Sequence, residues 1–165
     1  MAFQQVIVAA VLFTAAVRAE CNGLDVKDLE IEPCEGSIIQ PSDNTAELQM
    51  IDGKCHVKIN NPIKVTEDVT AAQMKLLVKK DGVTMMDKTM DYCKEIEAPQ
   101  CDIGKMMQNY SPKCPISTGD ITMPPIDVSK YSGMIPMLLG RWNVDIGAEH
   151  DNGKSCAKIS FRLAE

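Results

Sequence analysis

From Leu29 onward, apolar positions recur every second residue over short stretches, the spacing of half-buried β-strands. Leu29, Ile31 and Pro33 alternate with Glu30 and Glu32, Leu48 and Met50 with Glu47 and Gln49, and Val57 and Ile59 flank Lys58. Met74, Leu76 and Val78 point one way while Lys75 and Lys79 point the other, and Lys80-Asp81-Gly82 turns the chain into a partner strand over Val83 to Met90. Trp142, Val144 and Ile146 alternate with Arg141, Asn143 and Asp145. The last strand sets Ala157, Ile159, Phe161 and Leu163 against Lys158, Ser160 and Arg162. Between these two lies Asp151-Asn152-Gly153, whose Asn-Gly step is the strongest short hairpin signal in the chain. Roughly seven short strands punctuated by turns predict an all-β fold, an immunoglobulin-like two-sheet β-sandwich. Helix is a minor component, with one short turn expected over Asp102 to Gln108, just before Ser111-Pro112.

The first residues follow a different pattern. Val6 to Val17 is an almost unbroken apolar run, too short to span a bilayer, and Val17-Arg18-Ala19 has the small residues that a signal peptidase accepts. Residues 1–19 are therefore expected to be a signal peptide and 20–165 a single domain, although no Lys or Arg precedes the run. All seven cysteines lie beyond this segment, and in an oxidising compartment they read as at most three disulfides with one thiol left over. There is no Cys-x-x-Cys pair, and His56 and His150 lack ligand spacing, so no zinc site is expected. The net charge of −6 argues against nucleic acid as a partner and against binding an anionic membrane by charge alone.

Composition sharpens the picture. Aromatic residues make up only 4% of the chain while eleven residues are methionine, a flexible side chain suited either to lining an adaptable ligand cavity or to filling a core short of Phe and Tyr. The apolar segment Met134 to Leu139 precedes the Trp142 strand, and it reads as the buried start of that strand or as an exposed lip. Pro136 disfavours the interior of a central strand and so favours a lip at the mouth of a cavity. Catalytic signals are sparse: there is no Gly-x-Ser-x-Gly elbow and no phosphate-cradling glycine loop. His150 reads as a solvated turn residue and His56 as a strand-edge residue, so no enzyme and no cofactor is expected.

The order Cys21, a strand, Pro33-Cys34, then Cys93, Cys114-Pro115-Ile116 and a final Cys156 resembles the ML family of lipid-recognition domains. Within it, the C-terminal half is similar to the ganglioside activator-like branch. That likeness is carried by Cys114-Pro115-Ile116-Ser117-Thr118-Gly119, the strand Ile121-Thr122-Met123-Pro124, the run Ile135 to Val144, and Gly153 to Ile159. The resemblance implies a sandwich that opens between its sheets to take acyl chains or a sterol, without chemistry on the ligand. It implies disulfides Cys21 to Cys156 and Cys93 to Cys101. Among Cys34, Cys55 and Cys114 the pattern departs from the family, and Cys34 with Cys55 is preferred; a Cys93 to Cys114 bridge would instead leave Cys101 odd.

On this reading Met74, Leu76, Val78, Met123, Trp142, Val144, Ile159 and Phe161 line the ligand cavity, and Ile135, Met137, Leu138 and Leu139 with Pro136 form the lip. Asn109-Tyr110-Ser111 is a glycosylation sequon, although Pro112 after it disfavours use. The expected function is that of a secreted or lysosomal carrier of a lipid, glycolipid or sterol, meeting a membrane surface, hydrolase or receptor. The alternative is a secreted recognition protein, innate immune or chemosensory, whose apolar loop binds a protein partner.

Overall fold

A computed structural model describes residues 21, 24–41, 46–100, 105, 108–109, 111–129 and 135–164. Within them the chain forms strands β1 (Asp25–Pro33), β2 (Ile39–Pro41), β3 (Ala46–Ile51), β4 (Lys54–Ile59), β5 (Ile63–Val65), β6 (Ala72–Lys80) and β7 (Val83–Asp91), then helix α1 (Tyr92–Glu97). Strands β8 (Gly119–Ile121) and β9 (Ile126–Asp127), the one-turn helix α2 (Ile135–Leu138), β10 (Gly140–His150) and β11 (Lys154–Ala164) complete the order. The expected signal peptide and Cys101 fall outside the described residues, as does most of the helical turn expected at Asp102 to Gln108.

The long strands pair into one antiparallel sheet in the order β1-β11-β10-β6-β7. Register aligns the apolar positions into rows across it: Ile31 lies opposite Ile159, Ile159 opposite Val144, Val144 opposite Val78, and Val78 opposite Met86. Because side chains alternate faces, slipping any strand by one residue would put Lys158, Asn143 or Lys79 into the interior. Two Asp-Gly steps form the tight hairpins, with positive φ at Asp52 and Gly53 and at Asp81 and Gly82. That is the backbone that two-residue β-turns require.

The facing layer departs from the expected single sheet. It is divided into two three-stranded sheets, β2-β5-β8 and β3-β4-β9. Proline sits at the breaks: Pro41 ends β2, Pro62 separates β4 from β5, and Pro124-Pro125 separates β8 from β9. Without an N–H, proline cannot continue a hydrogen-bonded ladder there. The architecture is thus an all-β sandwich with a divided second layer. A tight cluster of Ile38, Val65, Val69, Ala72 and Ile116 joins the layers at one end, with Val69 fully and Val65 almost fully buried.

Helix α1 is an addition that alternation did not show. Asp91 caps it, its carboxylate accepting the Lys94 N–H at 3.1 Å, and Ile96 is buried beneath it. The chain leaves at Ala98-Pro99, where proline stops the helix.

The disulfides differ from the three preferred pairs, and one bridge, Cys93–Cys114, is the alternative left open from the sequence. The bridges are Cys21–Cys55, Cys34–Cys156 and Cys93–Cys114, with Cα separations of 5.3, 5.4 and 5.6 Å. Strand pairing explains the first two. Pro33 lies opposite Ala157, so Cys34 arrives beside Cys156, whose carbonyl accepts the Cys34 N–H at 3.1 Å. Cys21 precedes the other end of β1, about 30 Å away along nine strand residues, beyond reach of Cys156. It meets the β3–β4 hairpin instead, at Cys55 and near Met50. Cys93 on α1 takes Cys114, the alternative left open from the sequence, so the Cys93–Cys101 bridge does not form; Cys34 and Cys55 do not pair because each is bonded to another cysteine.

Candidate functional site

Across the middle of the sandwich the two layers separate around a cavity of about 280 Å³. The long sheet contributes Ile31 from β1, Ala72 and Met74 from β6, Ile146 and Ala148 from β10, and Ala157 and Ile159 from β11. The facing layer contributes Ile39, Pro41, Ile59, Ile63, Val65 and Ile121, with Met123 just beyond β8. The space has a local cause. Ala72, Ala148 and Ala157 lie on a diagonal across three adjacent strands, and three small side chains leave a hollow that branched residues opposite do not fill.

One end of the cavity is closed. There Ala72, His150 and Ser155 stand in adjacent strands against the buried cluster, with Tyr92, Pro112 and Ile116 beside them. Away from that row burial decreases: on β6, Ala72 and Met74 are buried while Leu76, Val78 and Lys80 are only half-buried. The gap therefore loosens toward Trp142 and α2.

Among the described residues the lining holds no Lys, Arg, Asp or Glu, and its polar side chains are Tyr92, His150 and Ser155. Tyr92 donates its hydroxyl to the Pro112 carbonyl at 2.7 Å, and burial pushes its phenol up to about 12. Ser155 Oγ accepts the Ile39 N–H at 3.0 Å, tying the long sheet to β2, and lies 2.7 Å from His150 Nε2. His150 Nδ1 is shielded from water and meets no partner among the described residues. Burial holds this imidazole below its ordinary range, against the opposing pull of Asp151. His150 is thus a half-buried cavity residue at the end of β10, not the solvated turn residue expected. Serine and histidine can make a nucleophilic pair, but among the described residues no carboxylate orients Nδ1, and the Ile39 N–H engages Oγ. The lining is built to enclose an apolar body.

Of the residues expected to line the cavity, Met74, Met123 and Ile159 border it. Leu76, Val78, Val144, Trp142 and Phe161 share the same face of the long sheet but lie outside the lining, toward the looser end. Trp142 stacks on Phe161 with ring centres 6.4 Å apart, and its indole N–H donates to the Leu138 carbonyl at 2.7 Å. That bond fastens α2 to β10. The expected lip is thus a turn of helix, in which Pro136 occupies the first turn, where a missing N–H costs nothing. Met137 is 70% exposed, and Leu138 and Leu139 are half-buried. Ile135 begins the turn, and its side chain is outside the described residues. Asn109 sits in an exposed turn, and His56 Nδ1 lies 3.0 Å from the Lys54 carbonyl on β4.

Sequence reasoning missed most of the wall. Eight lining residues are isoleucines and only two are methionines, so branched residues rather than flexible ones shape the space. Ile146 was visible in the same alternation as Val144, but β2, β5 and β8 are three residues long, too short for periodicity to register.

No family model matches the chain. It is similar to sporozoite-associated mosquito saliva protein 1 of Anopheles gambiae, 24% identical over 158 residues that cover 87% of this chain and 83% of that protein. Among solved structures, chicken MD-1 complexed with lipid IVa aligns over 82% of this chain and 91% of its own, with a TM-score of 0.43 and 9% identity.

Proposed function

We propose that this protein is a secreted carrier that holds an apolar ligand, an acyl-chain lipid, glycolipid or sterol, between its sheets and performs no chemistry on it. The observation that carries the reading is the apolar cavity of about 280 Å³, a volume near the lower end of the range for small-molecule sites. Twelve buried methylenes would contribute roughly 10 kcal/mol before the costs of association, enough for a useful carrier. The cavity gains support from the family resemblance in the Cys114 to Ile159 region. Three disulfides fit an oxidising compartment, and the relative's description as a saliva protein is in keeping with secretion. Residues 1–19 would be the signal peptide, 20–165 one ligand-binding domain, and Asn109 a glycosylation site. Ligand would pass along the looser end, over Leu76, Val78, Val144, Trp142 and Phe161 and beneath α2.

A second reading rests on the exposed apolar side chains Val83, Met85 and Met137, which suit a protein partner such as a receptor or hydrolase. Native mass spectrometry of the oxidised, secreted protein, with organic extraction, separates the two. The carrier reading expects a stoichiometric lipid or sterol, or uptake of added fatty acid, sterol or glycolipid at one per chain. A clean unliganded mass that resists all three would overturn it.

A further inference from the structure

Size sets the first limit on what the cavity holds. A protein cavity of about 150 Å³ takes one benzene ring, or about 25 Å³ per carbon. On that scale 280 Å³ takes about eleven carbons. A sterol, with about 27 carbons, or a lipid with two long chains needs at least about twice the space. Among the described residues the wall offers no charged side chain, and Tyr92, Pro112 and Ile116 close one end, so a charged head has to stay at the other.

Register sets what the head meets there. Ala157 and Ile146, which line the cavity, lie in one row with Leu76 and Lys88, across β11, β10, β6 and β7. Ala157, Ile146 and Leu76 are half-buried and Lys88 is exposed, whereas Met90, one step along β7 toward the closed end on the same face, is buried. Cover over β7 therefore ends between Met90 and Lys88. Lys88 stands two strand spacings, about 10 Å, from Ile146, and its four-carbon stem covers more than half of that. Beyond the half-buried pair Val78 and Met86 comes Lys80, its ammonium 3.4 Å from the exposed Asp81 carboxylate. Among the described residues, Lys80 and Lys88 are the only Lys, Arg, Asp or Glu on this face of β6, β7, β10 and β11. Both are cations, in a chain with 23 acidic and 17 basic residues. An inward lysine on an edge strand deters pairing with another chain; β7 is such an edge, but β6 is not.

We propose that the ligand is a single-chain anionic amphiphile, with one acyl chain of about eight to twelve carbons in the cavity and its carboxylate at the open edge beside Lys88 and Lys80. This rests on the carrier reading and narrows its ligand class to a medium-chain fatty acid. The chain lies over the hollow left by Ala72, Ala148 and Ala157, and the head stays in water, where two cations attract it and no carboxylate on that face of these strands repels it.

The test titrates the full oxidised protein calorimetrically with fatty acids from hexanoate to hexadecanoate, below their micelle concentrations, and with 1-decanol. Affinity is expected to rise about fourfold per added methylene up to about eleven carbons and then to level off. The double variant Lys80→Gln, Lys88→Gln should bind decanoate about fivefold more weakly, the worth of two exposed ion pairs, and 1-decanol as the wild type does. Lys80→Arg with Lys88→Arg should keep both affinities, and about 1 M salt should remove the difference between wild type and the glutamine variant. Affinity that climbs on through hexadecanoate, or a sterol or two chains bound per protein in native mass spectrometry, would overturn the single-chain assignment and leave the carrier reading standing. Equal loss of decanoate and 1-decanol in the glutamine variant, or no loss of either, would overturn the anionic head; the lysines would then serve the fold alone. No uptake of any acid, alcohol, sterol or glycolipid would overturn this assignment and the carrier reading together.

Discussion

Enlarging Ala148 distinguishes a true cavity from a loosely drawn core. Ala148 lies on β10 between Met74 and Ser155, in the centre of the hollow. Leucine adds three carbons, which at about 0.8 kcal/mol per buried methylene is worth roughly 2.4 kcal/mol, less about 0.5–1 kcal/mol of lost rotamer freedom. The unliganded Ala148→Leu protein should therefore gain about 1.5–2 kcal/mol, a rise of a few degrees in Tm by calorimetry. The same three carbons displace as much ligand surface, so lipid affinity should fall on the order of 50-fold, read by fluorophore displacement or by the ligand extracted with the protein. In a filled core the added carbons would instead cost about 1–3 kcal/mol through strain. A variant that loses stability and binds lipid as the wild type does would refute both the cavity and the mechanism built on it.

Removing Cys34–Cys156, which spans 122 residues, should cost about 5 kcal/mol by loop entropy, against roughly 3.4 kcal/mol for Cys93–Cys114, which spans 21. Denaturant melts of the paired Cys→Ser variants check the order, and peptide mapping that found Cys21 joined to Cys156 would refute the pairing itself. Burial lowers the His150 pKa in the folded state, so the unfolded chain takes up the proton first as pH falls. Stability should be constant above His150's ordinary value near 6.5, fall as pH drops through it, and level off below the lowered folded pKa. A pH profile of Tm that is unchanged in His150→Gln would contradict this. Gly140 joins α2 to β10 at φ 131°, and a Cβ there would come within 2.5 Å of the Asp81 carboxylate, which accepts the Arg141 N–H at 2.8 Å. Gly140→Ala should cost about 2 kcal/mol or more and loosen α2, seen as faster amide exchange around Leu138. A neutral substitution would mean that the junction is not held by Asp81.

The long strands were legible from local pattern alone, because a period of two sustained over several residues permits only one local geometry and one buried face. Val78, Val144 and Ile159 share that face for the same reason, and Asp81-Gly82 and Asp151-Asn152-Gly153 fixed where the strands reverse. Tertiary structure decided what lies opposite. Strands as short as Ile39–Pro41 and Ile63–Val65 have no periodicity of their own, and they form because the long sheet offers them an apolar surface to cover. Disulfide partners were equally hidden, since Cys34 and Cys156 are far apart in sequence and meet only through the register of β1 against β11. The cavity exists where three alanines on separate strands fall on one diagonal, and His150 reaches its wall only because β10 runs on to the hairpin. Each of these depends on contacts between distant segments, which local pattern does not encode.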